Sequence, residues 1–242
     1  MIYPRIIAHR CGGALTPENT LAGLRLAARL GCRGVEFDAM LAADGVPVLV
    51  HDETLQRTTS GQGRVADLSS AQLAGLDAGS RHHQAFAVEP VPTLDEALRL
   101  CATLGLWANV EIKPSSGQEA ETGRVVARHA AAAKGKLLLS SFSAAALRAA
   151  ADQAPQLPRA MVVERIPADW RERIAAAGAL AVHCAARALT AETLAAVHDA
   201  GLPLACYTVN RREDAERLFA MGVSAVFTDR PDLWSASEMQ AA

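Results

Sequence analysis

The stretch LAVHCAARALTAETLAAVHDAGLPLACYTVNRREDAERLFAMGVSAVFT, Leu180 to Thr228, alternates two patterns. Leu180–His183, Leu204–Val209 and Ala225–Thr228 are short apolar runs of strand length. Between them, Ala191–Ala200 and Arg212–Met221 carry apolar residues at helical spacing. Each helical run ends just before a glycine, Gly201 or Gly222, the residue that most readily takes the left-handed conformation closing a helix. Strand, helix, strand, helix, strand at this spacing predicts parallel strands joined by helices.

The alternation extends upstream. The pattern predicts helix Leu94–Leu104, strand Leu106–Ile112, helix Gln118–Ala133, strand Leu137–Ser141, helix Ala144–Gln153, strand Arg159–Val163 and helix Ala168–Ala177, with Gly105 and Gly178 as further stops. At the start of the chain, Arg5–His9 reads as a first strand. Thr16-Pro17-Glu18-Asn19-Thr20 opens a helix that runs to about Leu30 and stops at Gly31. Val35–Leu41 reads as the second strand. Asp44-Gly45 is a tight-turn signal, and Val46–Val50 reads as the return arm of a hairpin. A last helix follows Pro231. Eight strands, each followed by a helix, predict an α/β fold, a (β/α)8 TIM barrel, and a chain of 242 residues has the usual length for one. Glu53–Pro92 lacks strong periodicity, apart from one short helix expected within Ser69–Leu76. A span of that length inside a compact domain reads as an insertion with a function. The expectation is therefore one domain, residues 1–242, with a small insertion, 53–92, after strand two.

Composition narrows the function. Half the residues are hydrophobic, enough for a large core, and net charge is −2 with no long basic run. Nothing there suggests a nucleic acid or anionic membrane partner. Aromatics are only 4 %, which argues against base-stacking platforms. No apolar run approaches the length of a membrane span, and MIYPRIIAHR lacks the layout of a signal peptide. Five cysteines, an odd number with no Cys-x-x-Cys pair, fit reduced thiols rather than a disulfide framework or a zinc knuckle. The expected location is the cytoplasm, with no membrane insertion.

In a barrel of this kind chemistry sits at the C-terminal ends of the strands. Polar residues gather there: His9 and Arg10 end strand one, Glu36 and Asp38 end strand two, Glu111 and Lys113 end strand three, and Tyr207 ends strand seven. Glu36 and Asp38 are two apart and therefore share a face of their strand. Side-by-side carboxylates repel unless a cation or proton lies between them. Glu36, Asp38 and Glu111 can converge on the barrel axis, and hard oxygen ligands of this type select Mg²⁺ or Ca²⁺ over zinc. Arg10 and Lys113 add positive charge suited to an anionic substrate such as a phosphate. His9 and His51 can share general acid and base work near neutral pH. Lys113 can equally form a structural ion pair with Glu111. His129 and His198 fall on helices and read as surface residues, and His183, ending its strand toward the rim, reads as a minor candidate for supporting the site from behind. Asp229, before Arg230-Pro231, reads as a helix cap.

Ala8-His9-Arg10, Pro17-Glu18-Asn19-Thr20, Glu36-Phe37-Asp38, Val50-His51-Asp52, Arg57-Thr58-Thr59, Val110-Glu111-Ile112-Lys113, Tyr207-Thr208-Val209-Asn210 and Thr228-Asp229 occur in that order across nearly the whole chain. Together they resemble the glycerophosphodiester phosphodiesterase family, in its compact bacterial cytoplasmic form. The resemblance implies a TIM barrel with an insertion after strand two and a divalent metal, Mg²⁺ or Ca²⁺, at Glu36, Asp38 and Glu111. It also implies acid–base histidines at His9 and His51 and phosphate contacts from Arg10 and Lys113, to which Tyr207 is added as a substrate-binding candidate. The implied reaction is metal-dependent hydrolysis of a small-molecule glycerophosphodiester to an alcohol and sn-glycerol 3-phosphate. A related phospholipase acting on intact lipid is one rival, weakened by the absence of an amphipathic, aromatic-rich membrane element. A non-catalytic barrel that binds a phosphodiester is another. Such a protein would be free to lose a histidine or a carboxylate, and none is missing. The chain departs from the family at Cys11, where a glycine usually follows His-Arg. The expectation is a thiol beside the phosphate pocket, open to thiol reagents.

Overall fold

The computed structural model describes residues 3–240. The single domain expected over 1–242 therefore includes residues 1, 2, 241 and 242, which lie outside the described residues. The chain opens with strand β1 (Ile6–Ala8), helix α1 (Leu21–Leu30), strand β2 (Gly34–Leu41) and strand β3 (Pro47–Leu49). A short helix, α2 (Ser70–Ala74), precedes α3 (Leu94–Leu104). Regular alternation follows: β4 (Trp107–Ile112), α4 (Glu119–Ala132), β5 (Leu137–Ser141), α5 (Ala144–Gln153), β6 (Arg159–Val163), α6 (Trp170–Ala177), β7 (Ala181–Ala185), α7 (Ala191–Asp199), β8 (Leu204–Tyr207), α8 (Arg212–Met221), β9 (Ala225–Thr228) and α9 (Ala236–Gln240).

The strand order is β1-β9-β8-β7-β6-β5-β4-β2-β3, and a further β1–β2 pairing closes the ring. All pairings are parallel except β2–β3. The result is a closed eight-stranded parallel barrel with β3 folded back as a hairpin arm on β2. That hairpin lets β2 run on past the barrel, so Glu36 and Asp38 lie mid-strand, facing Asn109 and Glu111 of β4 in register.

Local chemistry sets the element ends. Thr20 caps α1 by accepting from Gly23 N, and Gly31 ends it at φ 92°. Thr93 and Glu96 form a reciprocal capping box at α3, which Gly105 ends at φ 70°. The helix expected to open at Thr16 starts only at Leu21. Asn19 explains the delay. It is held at φ 58°, where its side chain hydrogen-bonds both the backbone and the carboxylate of Asp38, a conformation no helical residue shares.

Alternation along the strands sorts side chains into two cores. Those facing out pack under the helices in one large cluster that includes Leu24, Phe37, Val110 and Leu139. Those facing in include Ile7, Trp107, Leu138 and Phe227, with alanines at 160, 181, 205 and 225. Four small side chains on adjacent strands leave room for Tyr3, which reaches in from below β1 and packs on Trp107 with ring centroids 5.6 Å apart. The lower barrel is thereby filled. A third cluster, including Met40, Val50, Leu55, Val65 and Leu73, lies under the segment that follows the hairpin. That segment holds α2, whose capping box pairs Ser69 with Gln72, and is tied down by isolated bridges such as Thr54↔Arg64 and Asp77↔Pro90.

Candidate active site

All eight residues singled out in the sequence, His9, Arg10, Glu36, Asp38, His51, Glu111, Lys113 and Tyr207, line one cavity of about 210 Å³ at the C-terminal end of the barrel. Glu36, Asp38 and Glu111 each offer an oxygen within 4.8 Å of the other two. Two of them, Glu36 and Asp38, are almost completely buried, 3 % and 2 % exposed. Burial, and then the charge of Asp38, raise both the Glu36 and Glu111 carboxyls above the usual range. The positive charge nearby is incomplete compensation. Lys113 Nζ is 3.3 Å from Glu111 Oε1, and Arg10 Nε stays 3.9 Å from Asp38 Oδ2. Three hard oxygen donors crowded in this way fit a divalent cation, which would relieve the repulsion and return the carboxyls to their ionised form.

Backbone geometry aims the rest of the set. Arg10 lies at φ 51° and Cys11 at φ 75°. This left-handed bend turns Arg10 N toward Glu36, to whose Oε2 it donates at 2.8 Å. The Arg10 guanidinium is held from outside by Glu18, with Nη1 at 3.1 Å from both carboxylate oxygens. Its Nε is buried without a hydrogen-bond partner among the described residues. Each of the two histidines has Nδ1 on a carboxylate. His9 Nδ1 meets Asp229 Oδ1 at 2.7 Å and His51 Nδ1 meets Asp52 Oδ1 at 2.6 Å. This arrangement fixes each ring and leaves Nε2 to work. His9 Nε2 lies 3.9 Å from Glu36 Oε2, and His51 Nε2 lies 3.3 Å from Lys113 Nζ. Burial lowers the His9 pKa, but the Asp229 hydrogen bond and the Glu36 charge outweigh it, and the net shift is upward. For His51, burial prevails and the shift is downward. Tyr207 donates its hydroxyl to Val163 O at 2.9 Å, and its ring packs at a steep angle against that of Phe142, with centroids 6.1 Å apart.

Three expectations are corrected. Asp229 is no helix cap: it pairs with His9 and is itself held by Asn210 Nδ2 at 2.9 Å. Closing the barrel sets the end of β9 beside the end of β1, a neighbourhood that linear order hides. Cys11 is fully buried in the outer core and does not open on the cavity. Its left-handed backbone turns the side chain under α1, where a Cβ on Gly23 would come within 2.8 Å of Cys11 Cβ. Burial pushes its pKa well up. His183 is corrected only in its position: it lies in the middle of β7 rather than at its end, still lines the cavity, and has Nε2 3.1 Å from Tyr3 Oη.

The sequence reading also missed Asn109. It is 1 % exposed, lines the cavity and gives Nδ2 to Ser140 Oγ at 3.0 Å, while Oδ1 has no partner among the described residues. Its place two residues before Glu111 was the available signal, since both must share a face.

A sequence model of the glycerophosphoryl diester phosphodiesterase family matches residues 9–233. The chain is 32 % identical over 232 residues to a glycerophosphodiester phosphodiesterase of Caldanaerobacter subterraneus, covering 94 % of each chain. A phosphodiesterase from Oleispira antarctica, solved in complex with the product sn-glycerol-3-phosphate, superimposes with a TM-score of 0.93 at 35 % identity, over 98 % of this chain and 97 % of that one. A glycerophosphodiester phosphodiesterase from Agrobacterium tumefaciens superimposes with a TM-score of 0.76 at 27 % identity, over 97 % and 100 %. With this extent of match added to the fold, the chain belongs to the glycerophosphoryl diester phosphodiesterase family.

Proposed function

We propose that the protein hydrolyses glycerophosphodiesters to an alcohol and sn-glycerol 3-phosphate, with His9 and His51 as the acid–base pair, Arg10 and Lys113 as phosphate contacts and Tyr207 at the substrate's side. The observation that carries the reading is the convergence of Glu36, Asp38 and Glu111 within 4.8 Å beside two carboxylate-held histidines. Those three carboxylates would hold Mg²⁺ or Ca²⁺, which when bound polarises a phosphoryl oxygen and lowers the pKa of a bound hydroxyl or water. The chain's own groups supply the rest. Arg10 and Lys113 offset the phosphate charge in a part-buried site, where such contacts count for more than in water. One histidine Nε2 removes the nucleophile's proton and the other protonates the departing alcohol oxygen. The barrel is plugged from below by Tyr3 and Trp107. The compact glycerol end therefore enters the cavity and the variable alcohol faces the mouth, beside Phe142, which is 53 % exposed.

The chain is read as one domain, and its odd number of cysteines supports a reducing compartment such as the cytoplasm. No described helix is long and apolar enough to cross a membrane. The test is an assay coupled to sn-glycerol 3-phosphate, run with diesters of several alcohols and with Mg²⁺ or Ca²⁺. Product should form from the diesters. No product from any diester with either metal would overturn the reading.

A further inference from the structure

Arg57 belongs to the segment after the hairpin and is not among the residues that line the catalytic cavity. Every edge of its guanidinium is nevertheless engaged. Nε donates to Asp52 Oδ2, Nη1 donates to Glu18 Oε2 at 2.7 Å, and Nη2 donates to Glu18 Oε1 at 2.8 Å. Each of these carboxylates has its other duty inside the site. Asp52 uses its second oxygen on His51 Nδ1 at 2.6 Å. Glu18 holds Arg10 Nη1 at 3.1 Å. One planar cation thus sits behind an acid–base histidine on one side and a phosphate-binding arginine on the other.

We infer that Arg57 is a positioning residue for the reaction: it fixes His51 through Asp52 and Arg10 through Glu18, and so makes the inserted segment part of the catalytic machinery. The inference rests on the roles given to His51 and Arg10 under the proposed function. Fork geometry is what the task requires. A guanidinium presents donors in one rigid plane and can serve two carboxylates at fixed angles, whereas a lysine is a flexible point charge. The effect belongs to rate rather than stability. The Arg57 side chain is 46 % exposed, and exposed ion pairs add little to stability. A misplacement of the reacting groups by about 1 Å, by contrast, can cost on the order of 100-fold in rate.

The test uses Arg57→Ala and Arg57→Lys in the full chain with Mg²⁺ present, each also made in a His51→Ala background. Arg57→Ala should lower kcat by about 10- to 100-fold, the range seen when outer supports of a site are removed, with a smaller change in KM and nearly unchanged thermal unfolding. Arg57→Lys should restore only part of the loss. In the His51→Ala background the same Arg57→Ala change should cost several-fold less, because one of its two branches no longer has a target. An equal loss in both backgrounds would show that Arg57 does not act through His51 and would overturn the inference as stated. A parent that releases sn-glycerol 3-phosphate and an Arg57→Ala variant as active as the parent would overturn it while sparing the proposed function. A parent inactive on every diester would overturn both. Should Arg57→Ala fail to fold, Arg57→Lys decides by the same comparison.

Discussion

His9 and His51 present the same design twice, a ring held at Nδ1 by a carboxylate with Nε2 turned toward the site, beside Glu36 in one case and Lys113 in the other. His9→Ala and His51→Ala should each lower kcat by roughly 10²–10⁴-fold, the usual contribution of a positioned acid or base, while metal binding measured by calorimetry stays near that of the parent. A His51→Ala variant with parental kcat would remove His51 from the mechanism. His183 is a histidine of another kind. Burial pushes its pKa down to about 3, whereas in an unfolded chain it titrates near ~6.5. Between those values the unfolded chain binds a proton that the folded chain does not. Its contribution to stability is therefore complete above ~6.5 and is lost as pH falls toward 3. Unfolding temperature should fall less steeply between pH 7 and pH 4 in His183→Gln than in the parent, and equal slopes would refute this. Cys11 is buried like the other four cysteines. Thiol reagents should label the folded protein only as fast as it opens, with no protection by substrate. Rapid labelling under native conditions that substrate blocks would return Cys11 to the pocket. At this scale the sequence made legible whatever a two-residue strand period decides, such as the shared face of Glu36 and Asp38. It did not reveal Asp229 or the fate of Cys11, because those depend on ring closure and on a left-handed backbone.

The strands and helices could be read because apolar spacing, capping residues and terminal glycines agree along most of the chain, as at Thr93, Glu96 and Gly105 around α3. The start of α1 could not. It is set by Asn19, whose side chain is hydrogen-bonded to Asp38 while its backbone sits at φ 58° instead of continuing the helix. The inserted segment was equally opaque, since its fold depends on a small core of its own around Leu55 and Leu73 and on single bridges without a period. Helix packing offers a direct test. Gly123 of α4 lies so close to α5 that a Cβ there would come within 2.1 Å of Ala146 O. Gly123→Ala should force the two helices apart and destabilise the protein by about 1–3 kcal/mol, the usual cost of overpacking. Chemical denaturation would measure it, and an unchanged midpoint would show that the helices accommodate the methyl without cost. Since neither helix carries a catalytic group, kcat of the folded fraction should hold.

The whole molecule is a barrel closed at one end and reactive at the other. Alanines on four neighbouring strands admit Tyr3 and Trp107 into the lower interior, so the polar residues above them face one cavity. Ring closure also explains how residues from Arg10 to Asp229 meet, and why one sheet can gather three carboxylates that would repel one another on an open surface. That crowding is the central physical fact of the site. Two of the three carboxyls are driven upward by burial and by Asp38, and a divalent cation is what would make the cluster stable in its charged, working form. The decisive measurement is release of sn-glycerol 3-phosphate from a glycerophosphodiester by exhaustively chelated protein, before and after Mg²⁺ or Ca²⁺ is added back. The account predicts no release before addition and restored release after it. Undiminished release from the chelated protein would contradict it.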